Sequence, residues 1–179
     1  LDWFKNKRDD DKPFLTFYLH KAPHRAWWPS PEKFAEFYKK KFPEPETLYD
    51  DYSNRGTAAK TAEMNLLTHM QYMQDSKVRP SVFEKMKNVE PKIVYARGDG
   101  TFFEPSSNSF NDRYNRANDE QKKKYDVILN KISKDFETNW PNMNTKQKMQ
   151  WKFQRYMQDY LATISSVDDN VGRVLDYLD

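Results

Sequence analysis

Apolar side chains recur every three or four residues through the last third of the chain, which predicts two long α-helices. Asn118 and Gln121 form a capping box before the first helix, which is expected to end near Trp140 and Pro141. Thr145 is the predicted cap of the second helix, which continues to the end of the chain. We expect the apolar stripe of this second helix to be core; it comprises Met149, Phe153, Tyr156, Tyr160, Ile164, Val167, Val171, Val174 and Leu178.

A different pattern occupies Pro13–Leu19 (PFLTFYL), a short run of apolar residues interrupted only by Thr16. Such a run predicts one core strand that is buried on both faces, as in the parallel sheets of α/β proteins. Ligands of these proteins collect at the carboxyl ends of the strands. We expect an α/β fold that is mostly helical in this chain, and one strand cannot complete its sheet. Because the chain starts with Leu1 and both of its ends fall within helical patterns, we expect it to be an excerpt from a longer protein.

Weaker patterns predict the remaining elements. The expected elements are the last turns of a helix over Leu1–Arg8, a short helix from Ser30 and Pro31 to Lys41, an extended surface arm over Phe42–Asn54, a helix capped by Thr57 and running to Met70, a small hairpin over Ile93–Phe103 and a loop over Pro105–Asn118.

Composition narrows the functional classes. The 179 residues carry 30 basic and 27 acidic side chains, a mixture of charges that argues against a nucleic-acid-binding protein. The 12 Phe, 11 Tyr and 5 Trp argue against a disordered chain. There is no cysteine, which excludes disulfides and a cysteine nucleophile within this chain. No apolar run is long enough for a membrane span, and no signal-peptide pattern opens the chain.

The loop after the predicted strand concentrates groups that suit an anion. His20, Lys21, His24 and Arg25 follow one another closely, and a histidine can donate to an oxyanion or protonate a leaving oxygen. A metal held by the two histidines is disfavoured, because Pro23 breaks any helix between them and no third ligand is near. The alternative is a structural loop whose histidines bind backbone groups.

Two further pairs have a functional and a structural interpretation. Trp27 and Trp28 could stack on a sugar, although a tryptophan pair after a strand more often packs under the next loop. Asp50 and Asp51 could act as acid and base or bind a cation, but solvated turn chemistry is the more common role of such a pair.

Three stretches resemble one family. HKAPHRAW, at residues 20–27 after PFLTFYL, resembles the segment of type I sulfatases in which a strand ends at a Pro-His pair. PEPETLYDDYSNRGTAAK, at residues 43–60, resembles a stretch of bacterial sulfatases that act on 6-sulfated N-acetylglucosamine. FQRYMQDYLATISSVDDNVGRVLDYLD, at residues 153–179, is similar to the helix before the family's second metal-binding segment. The resemblance is poor over residues 72–118.

The resemblance implies an alkaline-phosphatase-like α/β/α sandwich that hydrolyses sulfate esters with a formylglycine nucleophile beside a calcium ion. His24 matches the family's histidine at the bridging oxygen of the ester, where it can act as general acid. Lys21, His20, Arg25 and Trp27 are the residues expected to bind the sulfated carbohydrate. A periplasmic or exported location is also implied by the resemblance.

The departures from the family are large. The chain has no Cys/Ser-x-Pro-x-Arg motif, and the family's acidic metal ligands lie outside residues 1–179. We therefore expect a central segment of a sulfatase catalytic domain that depends on the remainder of that domain. No calcium should be bound by this chain, and the isolated chain should be inactive.

Two other functions stay open at this stage. One is a non-catalytic carbohydrate-binding or interaction module with the same fold. The other is a phosphodiesterase or phosphonate hydrolase of the same superfamily, which would prefer phosphate esters to sulfate esters.

Overall fold

Two long helices near the end of the chain form the scaffold of the molecule, whose computed structural model describes residues 1–94 and 107–179. They are α7 (Asp119–Asn139) and α8 (Thr145–Leu178). Asn118 and Asn144 cap them, each exchanging hydrogen bonds with a glutamine three residues later. The capping box of α7 is thus confirmed, whereas Thr145 is the first residue of α8 and its predicted capping role is wrong.

The other helices are short. They are α1 (Asp2–Asn6), α2 (Pro31–Tyr38), α3 (Thr57–Lys60), α4 (Leu66–His69), α5 (Pro80–Phe83) and α6 (Asn108–Tyr114), with 3₁₀ turns at Glu46–Tyr49 and Trp140–Asn142. The helices predicted near residues 1–8 and 31–41 are confirmed, and Ser30 caps α2 by accepting a hydrogen bond from the amide of Lys33. None of the described helices is both long and apolar enough to cross a membrane.

Two predictions of local structure are wrong for identifiable reasons. The helix expected from Thr57 to Met70 is broken, because the Asn65 side chain accepts the amide of Thr68 at 2.9 Å and starts a new helix, α4. The loop expected over residues 105–118 contains α6. Phe110 anchors α6 in the core with its ring 5.4 Å from that of Trp28.

The core lies between α2, α7 and the segment that joins α4 to α5. It is largely aromatic, and Phe136 and Trp140 of the α7 end pack on Tyr72 with ring centroids 5.4 and 5.3 Å away. Its buried residues are Phe34, Tyr72, Met73, Val78, Val89, Ile93, Phe110, Tyr125, Ile128, Leu129, Ile132, Phe136 and Trp140.

The predicted core strand is not found among the described residues. Residues 1–94 and 107–179 contain no β-strand, and in Pro13–Leu19 the side chains of Leu15, Phe17 and Leu19 are 80%, 76% and 85% exposed. The predicted burial on both faces is therefore wrong for this chain. Phe14 packs on Phe4 of α1 with ring centroids 5.4 Å apart, but the described residues supply no neighbouring strand. The predicted hairpin over residues 93–103 lies, after Val94, outside the described residues.

The buried face of α8 also differs from the prediction. Most of the expected stripe is partly or fully exposed, with Ile164 and Leu178 38% and 50% exposed. The residues that α8 buries are Lys152, Phe153, Arg155, Gln158, Asp159, Ala162 and Thr163. α8 therefore faces its neighbours with charged and polar groups as well as apolar ones.

Candidate functional site

The residues predicted to form a site lie on one loop between Pro13–Leu19 and α2. The amide of His24 donates to the carbonyl of Lys21 at 2.9 Å, which makes a tight turn around the cis peptide bond between Ala22 and Pro23. His20, Lys21 and His24 are exposed, and the ring of His20 lies 4.4 Å from that of Tyr18.

His24 has one ring nitrogen engaged and the other available for chemistry. Its Nδ1 contacts the backbone carbonyl of Arg25. A carbonyl can only accept, so Nδ1 carries the proton in the neutral ring. Nε2 is then the nitrogen that can accept a proton or, in the imidazolium, donate one.

Arg25 ties this loop to the body of the molecule. Its Nε donates to Oδ1 of Asp75 at 2.8 Å, and its Nη2 contacts Oδ2 of the same carboxylate and donates to the carbonyl of His69 at 2.8 Å. Asp75 is completely buried, while the Arg25 side chain is 37% exposed. This bidentate pair is of the kind that fixes geometry as well as charge.

The two tryptophans have different surroundings. The partly buried Trp28 packs edge-on against the core residues Phe110 and Tyr125, in line with the structural interpretation of the pair. The partly exposed Trp27 donates its indole N–H to the carbonyl of Pro23 at 3.1 Å and meets Tyr156 edge-on at 5.1 Å.

Trp27 also borders a pocket of about 370 Å³ beside the His24 loop. The pocket is mainly apolar, with the Arg25–Asp75 pair at one side. Its lining residues are Arg25, Trp27, Met64, Asn65, Leu66, His69, Met70, Asp75 and Tyr156. An aromatic wall next to a charged pair suits a ring-shaped polar ligand such as a sugar.

Sequence reasoning missed the buried charges behind the loop. The Nζ of Lys152 donates to the carbonyls of Leu67 and Met70, both at 2.7 Å, and lies 4.2 Å from the centroid of the Tyr72 ring. Burial lowers the pKa of Lys152 to about 7, a shift that the nearby Asp75 carboxylate opposes.

A second group of buried charges lies one turn further along α8. Arg155 contacts Oδ1 of Asp159, and the Nζ of Lys77 lies 3.8 Å from Oδ2. Burial lowers the pKa of Lys77 to about 8 and raises that of the Asp159 carboxyl. The charged residues around Phe153 recur every three or four positions, so they share one face of the helix with this buried phenylalanine. This spacing is the signal that could have predicted their burial.

Other sequence candidates have structural surroundings. Asp50 accepts a hydrogen bond from the amide of Tyr52 at 2.9 Å, and Asp51 accepts one from the amide of Ser53 at 2.9 Å. Both carboxylates therefore stabilise turns. These hydrogen bonds lower the pKa of both carboxyls. Within residues 1–94 and 107–179, no three His, Cys, Asp or Glu residues are grouped to hold a metal ion.

Comparison with known proteins connects this loop to one class of enzyme. No protein-family model matches the chain. The chain is 33% identical over 176 residues, 98% of its length, to N-acetylglucosamine-6-O-sulfatase of Bacteroides thetaiotaomicron, of which it spans 28%. It also matches a solved structure of BT4656 in complex with its substrate D-glucosamine-2-N,6-O-disulfate, with a TM-score of 0.73 and 32% identity. This match covers 99% of the chain and 32% of the solved chain.

The sequence match and the structural match agree, and each extends over nearly all of the chain while spanning less than a third of the relative. The resemblance predicted from the motifs is confirmed. This chain is a relative of the sulfatases, similar along nearly its whole length to a segment of N-acetylglucosamine-6-O-sulfatase.

Proposed function

We propose that this chain is a segment of a longer sulfuric-ester hydrolase that removes sulfate from sulfated sugars, with 6-O-sulfated N-acetylglucosamine as the substrate. The observation that carries the proposal is the similarity over 98% of the chain to a sulfatase named for this activity. The structural relative is described with a 6-O-sulfated glucosamine as its substrate, which supports the same class.

His24 is the residue proposed to act on the leaving group. The Arg25 carbonyl holds the Nδ1 proton, so the imidazolium offers its Nε2 proton to the sugar oxygen that bridges to sulfur. As the sulfur–oxygen bond breaks, the sulfur would bond to the nucleophile supplied by another part of the protein. The electrons of the broken bond stay with the sugar oxygen, which takes the His24 proton and leaves as a hydroxyl group. A sugar alkoxide is a poor leaving group, and general acids accelerate such departures about 10²- to 10⁴-fold.

The neighbours of His24 are proposed to bind the substrate. The exposed Lys21 offers positive charge to the sulfate group, and both Lys21 and His20 offer hydrogen bonds to it. Trp27 offers its ring to the sugar at the mouth of the pocket. Arg25 borders the same pocket, although its guanidinium is engaged by Asp75.

The formylglycine nucleophile and the calcium ion of the family are proposed for the whole protein. The residues of this chain fit neither the nucleophile nor the calcium ion. The chain has no cysteine and no Cys/Ser-x-Pro-x-Arg motif, and its described residues contain no metal-binding cluster. Other parts of the protein would have to supply both. An exported or periplasmic location is proposed on the same resemblance.

The remainder of the sulfatase domain is also proposed to complete the fold. The exposed apolar side chains of Leu15, Phe17 and Leu19 support this, because such a run is typical of a strand covered on both faces. In the proposed alkaline-phosphatase-like α/β/α sandwich, Pro13–Leu19 would be a strand of the central sheet, and His24 would follow its carboxyl end.

The decisive experiment compares the whole protein and its His24→Ala variant on 6-O-sulfated N-acetylglucosamine and on 4-nitrophenyl sulfate. We expect the variant to lose about 10²-fold in turnover of the sugar sulfate. It should lose much less on the aryl sulfate, because nitrophenolate departs without a proton. Circular dichroism of both proteins checks that the variant is folded.

Unchanged turnover of the sugar sulfate by His24→Ala would remove the proposed role of this residue. Faster hydrolysis of a phosphate ester than of the sulfate ester would favour the phosphodiesterase alternative. Binding of the sulfated sugar with no turnover by the whole protein would favour the carbohydrate-binding module.

A further inference from the structure

We propose that Asp75 is a positioning residue for His24 and acts through Arg25. The inference rests on the proposed function, since it assigns a role within the same site. It concerns a residue that lies 51 positions after His24 in the chain and belongs to none of the motifs that carry the resemblance.

The first step is the anchoring of Arg25 by Asp75. Both oxygens of the carboxylate contact the guanidinium, and Oδ2 also accepts the amide of Gln71 at 2.7 Å. Asp75 is completely buried and hydrogen-bonded to its own segment, so it can hold the exposed loop in place. The carbonyl of His69, 2.8 Å from Nη2 of Arg25, holds the guanidinium from a second side.

The second step connects Arg25 to the ring of His24. The carbonyl that contacts Nδ1 of His24 belongs to Arg25. Arg25 is therefore held by Asp75 through its side chain and orients the His24 imidazole through its backbone. Trp27 closes the loop from the other end by donating to the carbonyl of Pro23 at 3.1 Å. Movement of Arg25 would thus displace the acceptor that fixes the tautomer and direction of His24.

The consequence is specific to reactions that need the His24 proton. A group misplaced by about 1 Å can lose about a hundredfold in rate. A weakened Asp75–Arg25 pair should therefore lower kcat for a substrate with a poor leaving group and spare a substrate that needs no proton. A purely structural role would lower the hydrolysis of both substrates equally, because it changes the fraction of folded enzyme.

The test uses the whole protein with the substitution Asp75→Asn, which keeps the side-chain size while removing the ion pair with Arg25. On 6-O-sulfated N-acetylglucosamine we expect kcat to fall about tenfold to a hundredfold in this variant. On 4-nitrophenyl sulfate we expect kcat within about twofold of wild type. Asp75→Glu, which retains the carboxylate, should recover part of the loss.

Asp126→Asn is the matched control. It breaks another Arg–Asp pair, with Arg79 Nη2 and Asp126 Oδ1 2.6 Å apart, at a place where α7 contacts the residues before α5. This variant should keep wild-type kcat on both substrates, which separates the loss of an ion pair in general from the loss at the His24 loop.

Several outcomes overturn the inference. Wild-type kcat on the sugar sulfate in Asp75→Asn would do so, as would equal losses on the two substrates. A rise in KM alone for Asp75→Asn would also do so, because it would show that the Asp75–Arg25 pair acts on substrate binding. If His24→Ala lowers turnover and Asp75→Asn does not, only this inference fails. If His24→Ala leaves turnover unchanged, the proposed function of His24 fails with it.

Discussion

The buried lysine behind the site makes the folding stability of this protein depend on pH in a defined direction. Lys152 is completely buried, and its pKa is lowered from 10.5 to about 7 in the folded state. Between these two values the unfolded chain binds a proton that the folded chain does not, so stability rises with pH through this window. As the pH is lowered toward 7, the free energy of unfolding decreases, and below that pH this contribution stays constant.

The size of the effect follows from the pKa values. One proton of difference is worth about 1.4 kcal/mol per pH unit, and at pH 7 the folded group is about half protonated. From pH 7 to pH 9, Lys152 should therefore add about 2 kcal/mol to the free energy of unfolding. Lys77, with its pKa lowered to about 8, adds a smaller increase over the same range.

The assay is urea unfolding of wild type and Lys152→Met at pH 7, 8 and 9, with the free energy of unfolding obtained at each pH. We expect the stability of wild type to rise about 2 kcal/mol more than that of the variant. Lys131→Met, which changes an exposed lysine of α7, should keep the wild-type slope. Parallel pH profiles for wild type and Lys152→Met would refute the reasoning, whatever the difference in stability at a single pH.

Two further predictions concern the core and the isolated chain. Phe136→Ala, at a fully buried aromatic contact, should cost about 3–5 kcal/mol of unfolding free energy by chemical denaturation, whereas Val127→Ala on the exposed face of the same helix should stay within about 0.5 kcal/mol. A loss below about 1.5 kcal/mol for Phe136→Ala would contradict the described core. The 179-residue chain alone should hydrolyse neither sugar sulfate nor aryl sulfate, since it lacks a nucleophile motif; metal-dependent turnover by this chain would overturn that expectation.

Much of the helical structure was predictable because the signals are local. Asn118 and Gln121 satisfy each other's backbone groups within one turn, so the start of α7 can be read from four consecutive residues. Ser30 followed by Pro31 defined the start of α2 in the same way. By contrast, the break before α4 depends on the hydrogen bond that the Asn65 side chain accepts from the amide of Thr68, and this bond forms only in the folded chain.

The candidate site was predictable in part. The concentration of hydrogen-bond donors predicted the loop that carries His20, Lys21, His24 and Arg25. Three motifs along the chain predicted its similarity to sulfatases. Asp75 was missed, because no local pattern marks a carboxylate that meets an arginine 50 residues earlier in the chain.

What the sequence by itself determined is the position of α7 and α8, the clustering of cationic groups after Pro13–Leu19, and the relationship to sulfatases. The tertiary structure alone decided that Lys152 and Asp159 lie on the buried face of α8, where burial shifts their pKa values, and that Leu15 and Phe17 stay exposed. The physical reason is that capping and helical periodicity act within a few residues. The burial of a charge or of a strand depends on partners brought from distant parts of a chain.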